Sequence, residues 1–185
     1  MDLYATLADV TAALGSAGCR WAVIGGVAAA LHGRARTTVD LDLLVEIEDT
    51  TPLDVALVSL GYRLEHRWEE SSHYSCERAD RCPIDVLHAK RPHTRAMLAR
   101  ARAVALDEEL SVPVIEIEDL IGLKLQAAVN DPERRRAELV DIRELLEVAA
   151  ERRSFDLSRV HEYFGLFREE GTLDELLEGL RDALV

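Results

Sequence analysis

Leu3, Leu7, Val10 and Leu14 recur at the spacing of one helix face, and Gly15 and Gly18 end that helix. Trp21-Ala22-Val23-Ile24 is a short apolar run stopping at Gly25-Gly26, the pattern of a buried strand entering a turn. Val27 to Leu31 is small and apolar and predicts a short helix closed by Gly33. From Val39 to Ile47, aspartates first alternate with aliphatic residues and then give way to them, which predicts a second strand. Pro52 to Leu60 reads as a helix stopped by Gly61. Tyr62 to His66, Ser72 to Glu77 and Pro83 to His88 read as successive strands of an antiparallel meander. A helix over Pro92 to Arg102 follows, then a hairpin of Ala103 to Leu106 and Val112 to Ile115 around Asp107-Glu108-Glu109. The rest is helical: Glu118 to Val129, Pro132 to Arg153, Leu157 to Arg168, and Leu173 to Leu184 with its leucine stripe. Strands before helices predict an α+β fold, a mixed sheet flanked by helices with a helical C-terminal layer. The expected division is a core over residues 1–115 and a helical region over residues 116–185 packed on it.

Composition narrows the classes. The chain has 185 residues, enough for a core without disulfide or metal staples, and its charged and apolar fractions are those of a globular domain. No apolar run approaches the roughly 18 residues of a membrane span, and Met1-Asp2-Leu3 lacks the basic start of a signal peptide, so a cytoplasmic location is expected. The formal charge of −13 opposes non-specific binding of nucleic acid over the whole surface. One local exception stands out. Val86 to Leu106 contains no acidic residue but holds Lys90, Arg91, Arg95, Arg100 and Arg102 with His88 and His93, either a solvated helix face or a phosphate-binding surface. Cys19, Cys76 and Cys82 read as free thiols, and Cys76 and Cys82 with His73 and His88 match no closed zinc pattern.

The candidate chemistry starts at Gly25-Gly26, where two glycines between a strand and a helix let the backbone approach a phosphate. Asp40 and Asp42 are two apart in a strand and so share a face. Two adjacent like charges in an otherwise aliphatic segment are relieved by a divalent cation such as Mg²⁺. Asp85, in Cys82-Pro83-Ile84-Asp85-Val86-Leu87, adds a third carboxylate within an apolar strand. Three carboxylates on neighbouring strands beside a glycine turn describe a two-metal phosphoryl-transfer site. Lys124 is the only charge between Asp119 and Asp131, on the stripe of Ile117, Ile121 and Ala128, so it is expected to face inward and meet an anion.

Taken in order, Gly25-Gly26, Ala28, His32-Gly33, Arg36-x-Thr38-x-Asp40-x-Asp42 and Ile84-Asp85 resemble the DNA polymerase β-type nucleotidyltransferase superfamily. Glu118-Asp119-Leu120-Ile121-Gly122-Leu123-Lys124, then Asp131-x-x-x-Arg135 and Leu139-x-Asp141-Ile142, are similar to its abortive-infection (AbiEii-type) toxin branch. The resemblance spans roughly Trp21 to Leu146. It implies a nucleotidyltransferase fold with a catalytic core, and an enzyme that moves a nucleoside monophosphate from an NTP to a macromolecular hydroxyl, an RNA such as a tRNA 3′ end or a protein, releasing pyrophosphate. It further implies Mg²⁺ or Mn²⁺ as cofactor and a toxin role with a cognate antitoxin partner. Gly25 and Gly26 would bind nucleotide phosphates, with Thr38 nearby. Asp40 and Asp42 would ligate metal, and Asp85 would ligate metal or activate the attacking hydroxyl. Arg36 and Lys124 would contact the triphosphate, and Asp141 would orient Lys124 or assist as a base. Two positions depart from the pattern: Gly26 stands where a serine is usual, and Glu138 where the late motif usually has aspartate. The alternatives are a non-catalytic nucleotide-binding regulator or antitoxin, and an antibiotic-type nucleotidyltransferase acting on a small molecule.

Overall fold

The computed structural model describes residues 1–34, 37–152 and 154–181. The chain forms two compact units, one of Met1–Leu31 with Ala35–Glu116 and one of His32–Arg34 with Ile117–Val185. The first unit holds α1 (Leu3–Ser16), β1 (Trp21–Val23), α2 (Gly25–Leu31), β2 (Leu41–Glu46), α3 (Thr50–Ser59), β3 (Tyr62–Arg67), β4 (Ser71–Cys76), β5 (Ile84–Ala89), α4 (Pro92–Arg100), β6 (Arg102–Ala105) and β7 (Ser111–Val114). Its seven strands form one mixed sheet in the order β3-β4-β5-β2-β1-β7-β6. The expected meander is there: β3, β4 and β5 pair antiparallel. Two parallel pairs, β2 with β5 and β1 with β7, make the sheet mixed.

Local chemistry sets these elements. Asp2 caps α1 by accepting from the Ala5 amide at 3.0 Å, which satisfies one of the free donors of the first turn. The α1 stripe of Leu7, Val10 and Leu14 is buried. In β2, Leu41, Leu43 and Val45 alternate onto one face and are fully buried, each contributing about 1.5–3 kcal/mol. The opposite face carries Asp42, Leu44 and Glu46. On the Leu41 face, Tyr74 of β4 and Arg67 of β3 both bind Asp54 of α3, at 2.5 and 2.6 Å.

Two boundaries beside the glycine pair and the aspartates differ from the sequence reading. β2 starts at Leu41 rather than Val39, because the Thr38 hydroxyl reaches the Asp40 carbonyl (3.2 Å) and carboxylate (2.6 Å) and bends the chain there. α2 starts at Gly25 rather than Val27: Gly25, at φ +62°, makes the turn out of β1, and Gly26 already lies in the helix.

The second unit packs α5 (Ile117–Asn130) against α6 (Arg135–Ala150) and α7 (Leu157–Phe167), with α8 (Glu170–Arg181) against α7. Leu120, Ile121, Leu125, Ile142, Leu145 and Phe164 form its core. Asp156 caps α7 through the Ser158 and Arg159 amides, and Arg168 ends that helix in the left-handed conformation. α8 begins three residues before the predicted Leu173, and Leu184 lies outside the described residues. Among the described residues, no helix is long and apolar enough to cross a membrane.

Candidate active site

Asp42 and Asp85 are directly paired across β2 and β5, and Asp40 sits one residue ahead of β2. The three carboxylates each offer an oxygen within 4.8 Å of the others, and all three side chains are half-buried. Among the described residues, this is the one group of three or more histidine, cysteine or acidic side chains arranged to hold a metal ion. The alternating pleat explains the meeting: equal register on parallel neighbours puts Asp42 and Asp85 on the same face. Three carboxylates at this spacing repel one another, and the hard oxygen donors suit Mg²⁺ or Mn²⁺. The cysteines take no part, and all three are free thiols.

The glycine pair is built against this cluster. Gly25 has φ +62°, and a Cβ there would land on the Asp42 carboxylate. Only glycine lets the strand-to-helix turn pass so close to the acid. At Gly26 a Cβ would meet the Thr38 side chain at 3.0 Å. A side chain at position 26 would crowd Thr38, whose hydroxyl binds Asp40. Arg36, expected to touch the triphosphate, lies outside the described residues.

One partner was invisible in the linear sequence. His73 of β4 pairs in register with Asp85, and its Nδ1 lies 2.6 Å from Asp85 Oδ1. The two are twelve positions apart with a loop between them, so only strand register reveals the contact.

Lys124 and Asp141 belong to the second unit. Lys124 is buried as its stripe predicted, with Nζ 2.5 Å from Asp141 and 3.0 Å from Glu138. Arg34 adds a second cation to Asp141 at 2.5 Å, and Arg134 one to Glu138 at 2.6 Å. A glutamate at position 138 therefore reaches the lysine as an aspartate would be expected to.

Several solved structures share this architecture. The antibiotic-resistance factor ANT(2'')-Ia matches with a TM-score of 0.63 and 17% identity, over 95% of this chain and 96% of its own. An antigenic nucleotidyltransferase-like protein from Paracoccidioides brasiliensis matches at 0.57 and 16%, over 95% and 93%. The lincosamide antibiotic adenylyltransferase LnuA, solved with lincomycin, matches at 0.57 and 15%, over 80% and 98%. This is the nucleotidyltransferase fold. No protein-family model matches the sequence, and no curated protein matches it.

Within this nucleotidyltransferase fold, several cations of the acid-free stretch meet carboxylates from elsewhere in the chain. Lys90 binds Glu69 and Glu70, and Arg91 binds Glu70. Arg95 binds Glu46 at 2.9 Å and Glu48 at 2.5 Å, and Arg102 binds Glu116. Acids from β2, from the turn after it, from the β3–β4 loop and from the residues after β7 thus return the charge that the local sequence lacks.

Proposed function

We propose that the protein is a magnesium-dependent nucleotidyltransferase that moves a nucleoside monophosphate from an NTP to a hydroxyl and releases pyrophosphate. The observation that carries this reading is the meeting of Asp40, Asp42 and Asp85 within 4.8 Å, directly against the Cβ-free backbone of Gly25. Bound at these carboxylates, Mg²⁺ or Mn²⁺ supplies charge neutralisation for the phosphates and lowers the cost of ionising the hydroxyl. The chain's own residues do the rest. Gly25 and Gly26 give the phosphates close access to backbone, and Thr38 holds Asp40 in place. The acceptor oxygen bonds to the α-phosphorus as the bond to the bridging oxygen breaks, and that electron pair leaves with pyrophosphate. Asp85 takes the hydroxyl proton. Arg36 and Lys124 belong to this reading as triphosphate contacts, and the 2.5 Å contact of Lys124 with Asp141 supports an orienting role for that aspartate.

The paired basic stretch favours a small-molecule acceptor over a phosphate backbone, because Lys90, Arg91, Arg95 and Arg102 each already face a carboxylate. Folds similar over 95% and 80% of the chain, in an antibiotic-resistance factor and an antibiotic adenylyltransferase, point the same way. A macromolecular acceptor, RNA or protein, with the toxin role and antitoxin partner, is the second reading, favoured by the ordered late motif in which Lys124 meets Glu138 and Asp141.

Thermal unfolding tests the first statement. Mg²⁺ with an NTP should raise the melting temperature, and Asp42→Asn should abolish that shift while leaving the metal-free protein as stable or more so, through relief of repulsion. An unchanged nucleotide shift in Asp42→Asn would move the metal away from this cluster.

A further inference from the structure

The strand register extends the site beyond the three carboxylates. Asp42 pairs with Asp85, Asp85 with His73, and His73 with His66, a continuous row across β2, β5, β4 and β3. His66 enters this row only because of an irregularity between Leu64 and His66, an extra residue in β3 opposite β4. Without it Glu65 would face His73. As built, Glu65 is bound by Arg63 and by Ser75. His66 in turn stands beside Trp68, with ring centroids 5.4 Å apart and the indole 58% exposed. An exposed tryptophan held against an imidazole, on the same row as a catalytic carboxylate, is a platform for a ring.

In-line displacement gives the platform a purpose. In that geometry the entering hydroxyl and the departing pyrophosphate lie on opposite sides of the phosphorus. The glycine turn that receives phosphates is at the β1 side of Asp42, so the acceptor has to approach from the other side, past Asp85, over β4 and β3. We propose that the face of β4 and β3 beside Asp85 is the acceptor subsite, in which His73 holds the Asp85 carboxylate and the His66–Trp68 ring pair supports a cyclic, hydroxyl-bearing small molecule. This rests on the nucleotidyltransferase reading above and adds the acceptor's place and class. The cations near the platform do not suit it to a phosphate chain: Lys90 and Arg91 are engaged by Glu69 and Glu70, and Arg67 binds Asp54 on the opposite face. An indole presents an apolar plane to the C–H face of a saccharide-type ring, and half-exposed His73 offers a hydrogen bond at its edge.

The test uses the full chain labelled with 5-fluorotryptophan, whose two fluorine resonances come from buried Trp21 and exposed Trp68. Tobramycin, lincomycin, simple glycosides and a single-stranded RNA are offered with Mg²⁺ and each NTP, and pyrophosphate release is recorded. A cyclic hydroxyl compound should be turned over and should shift the Trp68 resonance but not that of Trp21. Trp68→Ala combined with His66→Ala should raise the KM for that compound tenfold or more, with kcat within about threefold and the NTP-dependent melting shift intact. The subsite is overturned if the compound that is turned over leaves the Trp68 resonance and the variant's KM unchanged. It is equally overturned if RNA alone is turned over, or if no cyclic compound is used while the NTP shift is present. A wild-type protein without any metal- and NTP-dependent shift would instead overturn the underlying nucleotidyltransferase reading.

Discussion

At the scale of single residues, Gly25 is the position where backbone and chemistry are least separable. Its φ of +62° strains any side chain, and a Cβ would displace the Asp42 carboxylate. Gly25→Ala should therefore cost at least about 1–2 kcal/mol in urea unfolding and also remove the metal- and NTP-dependent melting shift. Gly15→Ala, where a Cβ meets nothing within 4 Å, should show neither effect. His73 makes a finer prediction. If its Nδ1 fixes Asp85, then His73→Asn, which can place a donor at nearly the same point, should keep more of the Mn²⁺ affinity in calorimetry than His73→Phe. His88 supplies a pH signature away from the site. Its Nδ1 donates to the Glu69 carbonyl at 3.2 Å, so Nε2 accepts the Ser72 hydroxyl at 2.8 Å, and burial pushes its pKa below the ordinary 6.5. Below that pH the unfolded chain binds a proton that the folded chain refuses, so stability falls as the pH drops from about 6.5. Comparing urea midpoints at pH 7.5 and 5.5 should show the loss, and His88→Gln should reduce it. Burial of Asp54 raises its pKa, but hydrogen bonds from Arg67 and Tyr74 outweigh that and hold it below the ordinary value, adding a loss of the same sign at lower pH.

Elements show where sequence pattern suffices and where it does not. The Asp40–Asp42 pair and Asp85 were legible because each interrupts an aliphatic stretch of sequence, and a charge in such a place has few uses. The burial of Lys124 was legible from helical periodicity alone. His73, His66 and Trp68 were not, since their meaning depends on which strands pair and on one extra residue in β3, information that no local window contains. α4 is a different case, where the local sequence leaves two readings open, a solvated helix face or a phosphate-binding surface. The phosphate-binding alternative arises because the neighbouring sequence lacks acids, but for Arg95 the acids arrive from other elements. Arg95 binds Glu46, which is 2% exposed and whose carboxyl is pushed upward by burial and by Glu48 against the pull of Arg20 and Arg95. Arg95→Glu should accordingly cost about 3 kcal/mol or more in urea unfolding, well above the 0.5 kcal/mol or so of an ordinary surface exchange. In the α5–α6 pair, Lys124→Met should likewise cost about 3–5 kcal/mol, because it leaves Glu138 and Asp141 buried with one fewer counter-charge. A stability loss below 1 kcal/mol in either variant would show that the acids find water instead.

For the whole molecule, most strands and helices followed from periodicity and from glycine stops, and the antiparallel meander from three closely spaced strands. What the linear pattern left open was the order of strands, above all that β1 lies between β2 and β7. That arrangement has a consequence during synthesis. β1 leaves the ribosome well before β7, its parallel neighbour, which is encoded about 90 residues later. At about 5–20 residues per second, the interior strand beside the glycine turn stays open on one side for several seconds to nearly twenty. Until then Trp21, Ala22 and Val23 present an unpaired, apolar edge, the kind that recruits other chains. A nascent chain stalled before Ser111 should be cleaved by protease within β1 and bind a chaperone there, whereas one stalled well past Glu116 should resist both. The last strand to be made is thus the one that protects the first.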